Sequence, residues 1–215
     1  MLPLIKQHKI FFLLTFFYIV AGAWIITTVP KGKLELFINY HHHPWLDTLF
    51  QLVTHLGDGL VSVIFLVLIF FRNRYLGLVS TLCFIVTTII TQGLKRLVFE
   101  DIVRPRKFFE GTKDLYYIDG LDIHSNFSFP SGHTSGAFTV FFFLAFITRR
   151  NFTDLIFFAL SFLVSLSRIY LMQHFFIDTY FGALIGIVFT FLIYCYFEMF
   201  TNLKNHPKFN RPLLS

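Results

Sequence analysis

A chain of 215 residues that is 55% hydrophobic and only 14% charged is too apolar for an ordinary water-soluble domain of that size, so the bilayer is its expected solvent. The net charge of +6 does not indicate nucleic acid, because the Lys and Arg residues are scattered between apolar runs and form neither a stripe nor a basic tail. One domain over residues 1–215 is expected, with no obligate protein partner, and Cys83 and Cys195 fall inside apolar runs where packing explains them better than redox or metal chemistry.

In chain order, Lys6 and Lys9 precede an apolar run over residues 10–29. That run is long for a signal-peptide core and has no small-x-small cleavage site, so it reads as an uncleaved first span. His41, His42 and His43 in an extended segment point in different directions, which argues against a metal site. Pro44 and Trp45 instead begin a short interfacial helix, about 46–56, with the indole at headgroup level. A span takes about 20 mostly apolar residues, and five more candidates follow at 55–71, 76–98, 131–148, 153–171 and 175–199. Asp58 and Gly59 interrupt the first of these. The connection 99–130 carries Phe108, Phe109, Tyr116 and Tyr117 and is either a lid or an interfacial segment with buried rings. Lipid cannot satisfy an open backbone, so the fold class is all-α, a bundle of six transmembrane helices.

The tight turns carrying Arg72 and Arg74, and Arg149 and Arg150, should be cytoplasmic, together with both termini. The raw count of cations does not decide the orientation, since nine Lys and Arg fall on each side. Outward cations kept for binding an anion would have to be discounted from that vote.

Three polar clusters interrupt the apolar background at one end of the bundle: Lys95 with Arg104-Pro105, then Pro130-Ser131-Gly132-His133, then Ser167-Arg168 with His174 and Asp178. Ionisable residues at such positions are functional candidates by default. Lys95, Arg104 and Arg168 match the oxygens of a phosphate, two of them as planar forks. Ser131 and Gly132 open a helix whose free N–H groups also favour an anion. His174 and Asp178 are four apart, so on a helix the carboxylate can hold one imidazole nitrogen while the other faces the anion. His133 supplies a second imidazole for proton transfer to a leaving oxygen.

These residues resemble the type 2 phosphatidic acid phosphatase superfamily, whose signature is Lys to Arg-Pro, Pro-Ser-Gly-His and Ser-Arg-x5-His-x3-Asp. The second and third motifs match without a gap at 130–133 and 167–178. The first departs from it, because eight residues separate Lys95 from Arg104 where six is the commonest family spacing, and Arg96 is the substitute should Lys95 point away. The two extra residues are expected to be absorbed in the outward connection. The resemblance covers about residues 40–195 and implies an acid phosphatase/haloperoxidase-like core and a mechanism without metal or other cofactor. His174 would attack phosphorus, Asp178 would orient it and His133 would protonate the leaving group. Lys95, Arg104, Ser131, Gly132 and Arg168 would hold the phosphoryl oxygens.

The expected function is therefore hydrolysis of a phosphomonoester or diphosphate on a lipid, such as phosphatidate, phosphatidylglycerophosphate, an isoprenyl diphosphate or phosphorylated lipid A, through a phosphohistidine. The expected location is a bacterial inner membrane, with the site on the outer face. Two other readings are a vanadate-dependent haloperoxidase, which the apolar spans oppose, and an anion or lipid-phosphate carrier using broken helices without hydrolysis. In the carrier, His174, Asp178 and His133 would have no purpose. His55, Asp58 and His124 receive no role.

Overall fold

Backbone surrounded by hydrocarbon must bond within its own segment, and in the computed structural model the interiors of the apolar runs are helical, with breaks at Asp58 and at run ends such as Val29, Ser131, Leu171 and Phe175. The structure describes residues 2–148 and 150–212. Arg149, one of the cations used above for orientation, lies outside the described residues. In chain order the helices are α1 (Leu2–Gln7), α2 (Lys9–Thr28), α3 (Lys33–Tyr40), α4 (Pro44–Thr54), α5 (Gly59–Arg72), α6 (Arg74–Gly93), α7 (Pro105–Phe108), α8 (Gly132–Thr148), α9 (Asn151–Tyr170) and α10 (Phe176–Phe200). Among the described residues there is no strand.

Four helices are individually long and apolar enough to cross a membrane: α2, α6 with its extension to Val98, α9 and α10. A fifth crossing arises if α4 and α5 are taken as one span bent by 53°. The bend falls at Asp58 and Gly59, the pair that interrupts the apolar run in the sequence. The shorter α8, with 17 residues, reaches about 25 Å at 1.5 Å per residue, less than a hydrocarbon core of about 30 Å.

The α8 helix is apolar on all sides and correspondingly central. Phe138, Phe141, Phe142, Phe143 and Phe146 are all buried, with Phe142 stacked on Phe11 of α2 and Phe146 on Tyr194 of α10. The outer helices turn large apolar side chains outward, including Leu13, Phe16, Phe17 and Trp24 of α2 and Ile85 and Ile89 of α6. Outward apolar faces and a dense aromatic centre are what a bundle solvated by lipid requires.

Two glycines let α10 lie against the start of α8. A Cβ on Gly182 would stand 2.6 Å from the carbonyl oxygen of Ser131, and one on Gly186 would stand 2.6 Å from that of Ser135. Small residues four apart are the usual means of close helix approach in membranes. Here the approach lets Ser131 N–H donate to the carbonyl of Asp178 at 2.9 Å, which ties the second sequence motif to the third.

At the opposite end, Arg74 N and Tyr75 N donate to the carbonyls of Arg211 and Phe209. His8 Nδ1 pairs with Asp154 Oδ1 at 2.9 Å, both buried. The described residues near both chain ends, the α5–α6 turn and the facing ends of α8 and α9 therefore gather on one face, and the polar clusters lie at the other.

Candidate active site

The α6 helix ends in a π-helical turn, Leu94–Val98, closed by Phe99 N–H donating to the carbonyl of Leu94 at 2.9 Å. Such a wide turn rotates its residues relative to an ordinary helix, and it places Lys95 inward and buried while Arg96 remains exposed at the rim. The extra residues of the first motif are thus taken up partly by the helix end itself, and Lys95 is the inward cation.

Arg104 is held from three directions before α7 begins. Its Nε donates to the carbonyl of Asn126 at 3.0 Å, and its Nη1 to the carbonyl and side chain of Gln173 at 3.2 and 3.1 Å. Arg168, in the last turn of α9, donates through Nη1 to Thr54 Oγ1 at 2.7 Å. Its Nε is buried with no hydrogen-bond partner among the described residues. A buried orphan donor on a guanidinium calls for an acceptor, and an anion between the three cations would supply it.

His174 is 1% exposed. Its Nδ1 faces Asp178 Oδ2 at 3.4 Å, a separation of the kind that tightens when substrate arrives. Asp178 is braced in turn by the N–H of Phe175 at 2.9 Å and by the hydroxyl of Ser128. Burial, and after it the charges of Arg104, Lys95, Arg168 and His133, hold His174 well below the usual imidazole range, which favours the neutral ring, and with Nδ1 turned to Asp178 it is Nε2 that is left to face the cavity. Burial also lowers Arg104, an effect that Asp178 partly offsets. Behind this turn Glu35 of α3 is buried and accepts from Phe176 N–H at 2.7 Å, and burial raises its carboxyl.

These groups surround one cavity of about 820 Å³, lined by Lys95, Arg104, Gly132, His133, Arg168 and His174 among others. Of the residues singled out in the sequence, Asp178 and Ser131 do not reach it: Asp178 stands behind His174, and Ser131 is buried with its hydroxyl accepting from Thr134 at 3.0 Å. The segment from Leu121 to Phe127 contributes to the cavity wall. Tyr116 pins the same connection to α3 and α4. The side-chain amide of Asn39 donates to the carbonyl of Tyr116 at 2.7 Å and accepts from its N–H at 3.0 Å, while the Tyr116 hydroxyl donates to Asp47 at 2.8 Å and its ring stacks on His42. His41 faces the carbonyl of Phe37, and His43 accepts from Trp45 N–H as the cap of α4, so the three consecutive imidazoles serve three different contacts.

Sequence reasoning missed Thr54, Ser128, Gln173 and Asp58, the last of which faces His133 Nε2 through Oδ1 at 2.7 Å. Ser128 adjoins the second motif and Gln173 lies within the third, and that proximity was the available signal. Thr54 and Asp58 come from a segment whose relation to the site is set only by the bend between α4 and α5.

The family model described as the PAP2 superfamily matches residues 75–202. Phosphatidylglycerophosphatase B of Bacillus subtilis (strain 168) is 28% identical over 206 residues, which cover 87% of this chain and 94% of that protein. Among solved structures, Aquifex aeolicus LpxE is 30% identical with a TM-score of 0.67, the match covering 77% of this chain and 95% of that one. A transmembrane PAP2 type phosphatidylglycerolphosphate phosphatase from Bacillus subtilis is 25% identical with a TM-score of 0.63, covering 92% and 98%.

Proposed function

The chain belongs to the PAP2 superfamily, and from that premise we propose that it is a membrane lipid phosphatase working through a phosphohistidine on His174. The observation that carries the reading is a buried imidazole backed by a carboxylate, in a cavity walled by three cations, where the buried Nε of Arg168 has no hydrogen-bond partner among the described residues.

A phosphoryl group enters between Lys95, Arg104, Arg168 and the backbone of Gly132 at the head of α8, where fixed charges and the helix end stabilise its oxygens. His174 Nε2 attacks phosphorus as the ester P–O bond breaks. Asp178 compensates the positive charge that develops on the ring, and His133 gives a proton to the departing oxygen. Water then attacks the phosphohistidine, His133 takes up the proton, and inorganic phosphate leaves. The residues named supply every step.

A cavity of about 820 Å³ exceeds what a phosphate needs, and it lies where helix ends meet the interface, which suits a phosphomonoester or diphosphate on a lipid anchor. The name of the Bacillus subtilis relative makes phosphatidylglycerophosphate the first substrate to try, ahead of phosphatidate, isoprenyl diphosphates and lipid A phosphates. We take α8 as a sixth span, its short length completed by the irregular polar segment 128–131 at the site, and place the cavity on the outer face of a bacterial inner membrane.

The test is phosphate release from these lipids by detergent-purified protein in excess chelator, wild type against His174→Ala. Loss of release by at least about three orders of magnitude is expected for removal of a nucleophile. Release that survives the substitution overturns the assignment.

A further inference from the structure

Asp58 is the N-cap of α5, yet its side chain makes no capping hydrogen bond. An aspartate there ordinarily accepts from N–H groups of its own helix. This carboxylate turns away instead: Oδ1 meets His133 Nε2 at 2.7 Å, and Oδ2 meets His55 Nδ1 at 2.7 Å. The contact with His133 crosses 75 positions of sequence. It depends on a close approach at Gly57, where a Cβ would stand 2.7 Å from Val164 Cγ1 and 2.8 Å from the carbonyl oxygen of His133.

We propose that Asp58 is a positioning residue for His133: it holds Nε2, so that Nδ1 is the nitrogen presented to the ester oxygen of the substrate, while His55 fixes the far oxygen of the carboxylate. The proposal rests on the reading of His133 as the acid–base group. In the charged ring both nitrogens carry protons. The proton on Nε2 stays in the bond to Asp58 Oδ1, and the proton on Nδ1 passes to the ester oxygen as its bond to phosphorus breaks and the bond from His174 forms. The neutral ring left behind can accept only at Nδ1, and there it takes the proton of the water that attacks the phosphohistidine, as the nitrogen–phosphorus bond breaks. Asp58 remains a carboxylate throughout, in the role that an orienting aspartate plays for a catalytic imidazole elsewhere.

The charges that face His133 are Arg168 from α9, Lys95 from α6 and Asp58 from the α4–α5 bend, with His174 also within electrostatic reach and His55 beyond the carboxylate. Asp58 is the anion in this set. Removing its charge leaves an imidazolium facing two cations, so the protonated form of His133 loses its support.

The experiment compares wild type with Asp58→Asn, Asp58→Ser, Asp58→Glu, His133→Gln and the double variant Asp58→Asn/His133→Gln. The substrate is whichever of phosphatidate and phosphatidylglycerophosphate the wild type hydrolyses faster in detergent micelles. Asn and Ser are both favourable N-caps, so α5 can start normally in either variant, and the second keeps the test alive if the first does not fold. Asp58→Asn and Asp58→Ser are expected to lower kcat at least about tenfold, a part of the 10²–10⁴ that acid–base catalysis supplies, while KM stays within about threefold. The alkaline limb of kcat should move to lower pH, and Asp58→Glu should recover most of the rate. The double variant should be no slower than His133→Gln, since one function is lost once. Unchanged or raised kcat in the Asn and Ser variants, or losses that multiply in the double variant, overturns the proposal. Full activity in His133→Gln instead overturns the assignment of His133 on which it stands.

Discussion

Arg168 is anchored through one nitrogen to Thr54 while its buried Nε has no partner among the described residues, a combination that suits a fork awaiting an anion better than a structural contact. A lysine in its place keeps the charge and loses the fork. Arg168→Lys should therefore lower kcat by about 10²–10³, the usual cost of one preorganised donor to developing charge, and steady-state kinetics on a lipid phosphate check it. The neutral His174 makes a second statement. Its folded value lies well below the ordinary imidazole range because the ring is buried among cations. The unfolded ring titrates near about 6.5, so below that pH the unfolded chain binds a proton that the folded one refuses. This group therefore costs nothing above about pH 6.5, and it lowers stability as pH falls from there toward its folded value, by at most about 1.4 kcal/mol per pH unit. Thermal midpoints in detergent between pH 5 and 8 should fall on the acid side more steeply for wild type than for His174→Gln. The acid limb of kcat/KM, where it reflects this ring, should lie below about 6.5. Asp58 carried no such message in the sequence: an aspartate next to a glycine reads as a helix break, and the imidazole it serves lies 75 positions away.

Among the helices, the crossing of α8 and α10 controls how the second and third motifs meet. The distance of 2.6 Å from a Gly182 Cβ to the carbonyl oxygen of Ser131 cannot be relieved by a side-chain rotation, because the obstacle is backbone. Gly182→Ala should push the helices apart at the point where Ser131 donates to the carbonyl of Asp178. Overpacking of this kind costs about 1–3 kcal/mol, and an ångström of displacement at a reacting group can cost about 10²-fold in rate. Gly93→Ala, with no atom of the described residues within 4 Å of its Cβ, is the control and should leave melting temperature and rate near wild type. The polar islands at 95, 130–133 and 167–178 were legible because lipid makes each buried charge expensive and so informative. The π-helical turn at Leu94–Val98 was not: its only trace was an over-long spacing before Arg104, which a loop insertion would explain equally well. The tie between the Asn39 amide and the backbone of Tyr116 was equally hidden, since a side-chain-to-backbone contact across 77 positions leaves no local pattern.

At the scale of the whole molecule, the burial of three cations bears on the orientation that the charge count leaves open. Nine cations on each side give no orientation, but Lys95, Arg104 and Arg168 are buried among the helix ends, where they line the cavity and cannot act as flanking charges. Setting those three aside leaves six outward against nine on the face that gathers both termini, the α5–α6 turn and the α8–α9 turn, and an excess of Lys and Arg belongs in the cytoplasm. The prediction is that the cavity opens away from the cytoplasm. It can be read with two single-cysteine proteins made after replacing Cys83 and Cys195, which are both buried. Ser125→Cys lies on the exposed segment beside the cavity and Asn205→Cys on the exposed tail at the opposite end. In intact cells a membrane-impermeant maleimide should label the first and spare the second until the membrane is permeabilised. The reverse pattern would turn the bundle over, place substrate entry on the cytoplasmic leaflet, and require the outward loops to hold the nine remaining charges. That last requirement is what the positive-inside bias makes unfavourable.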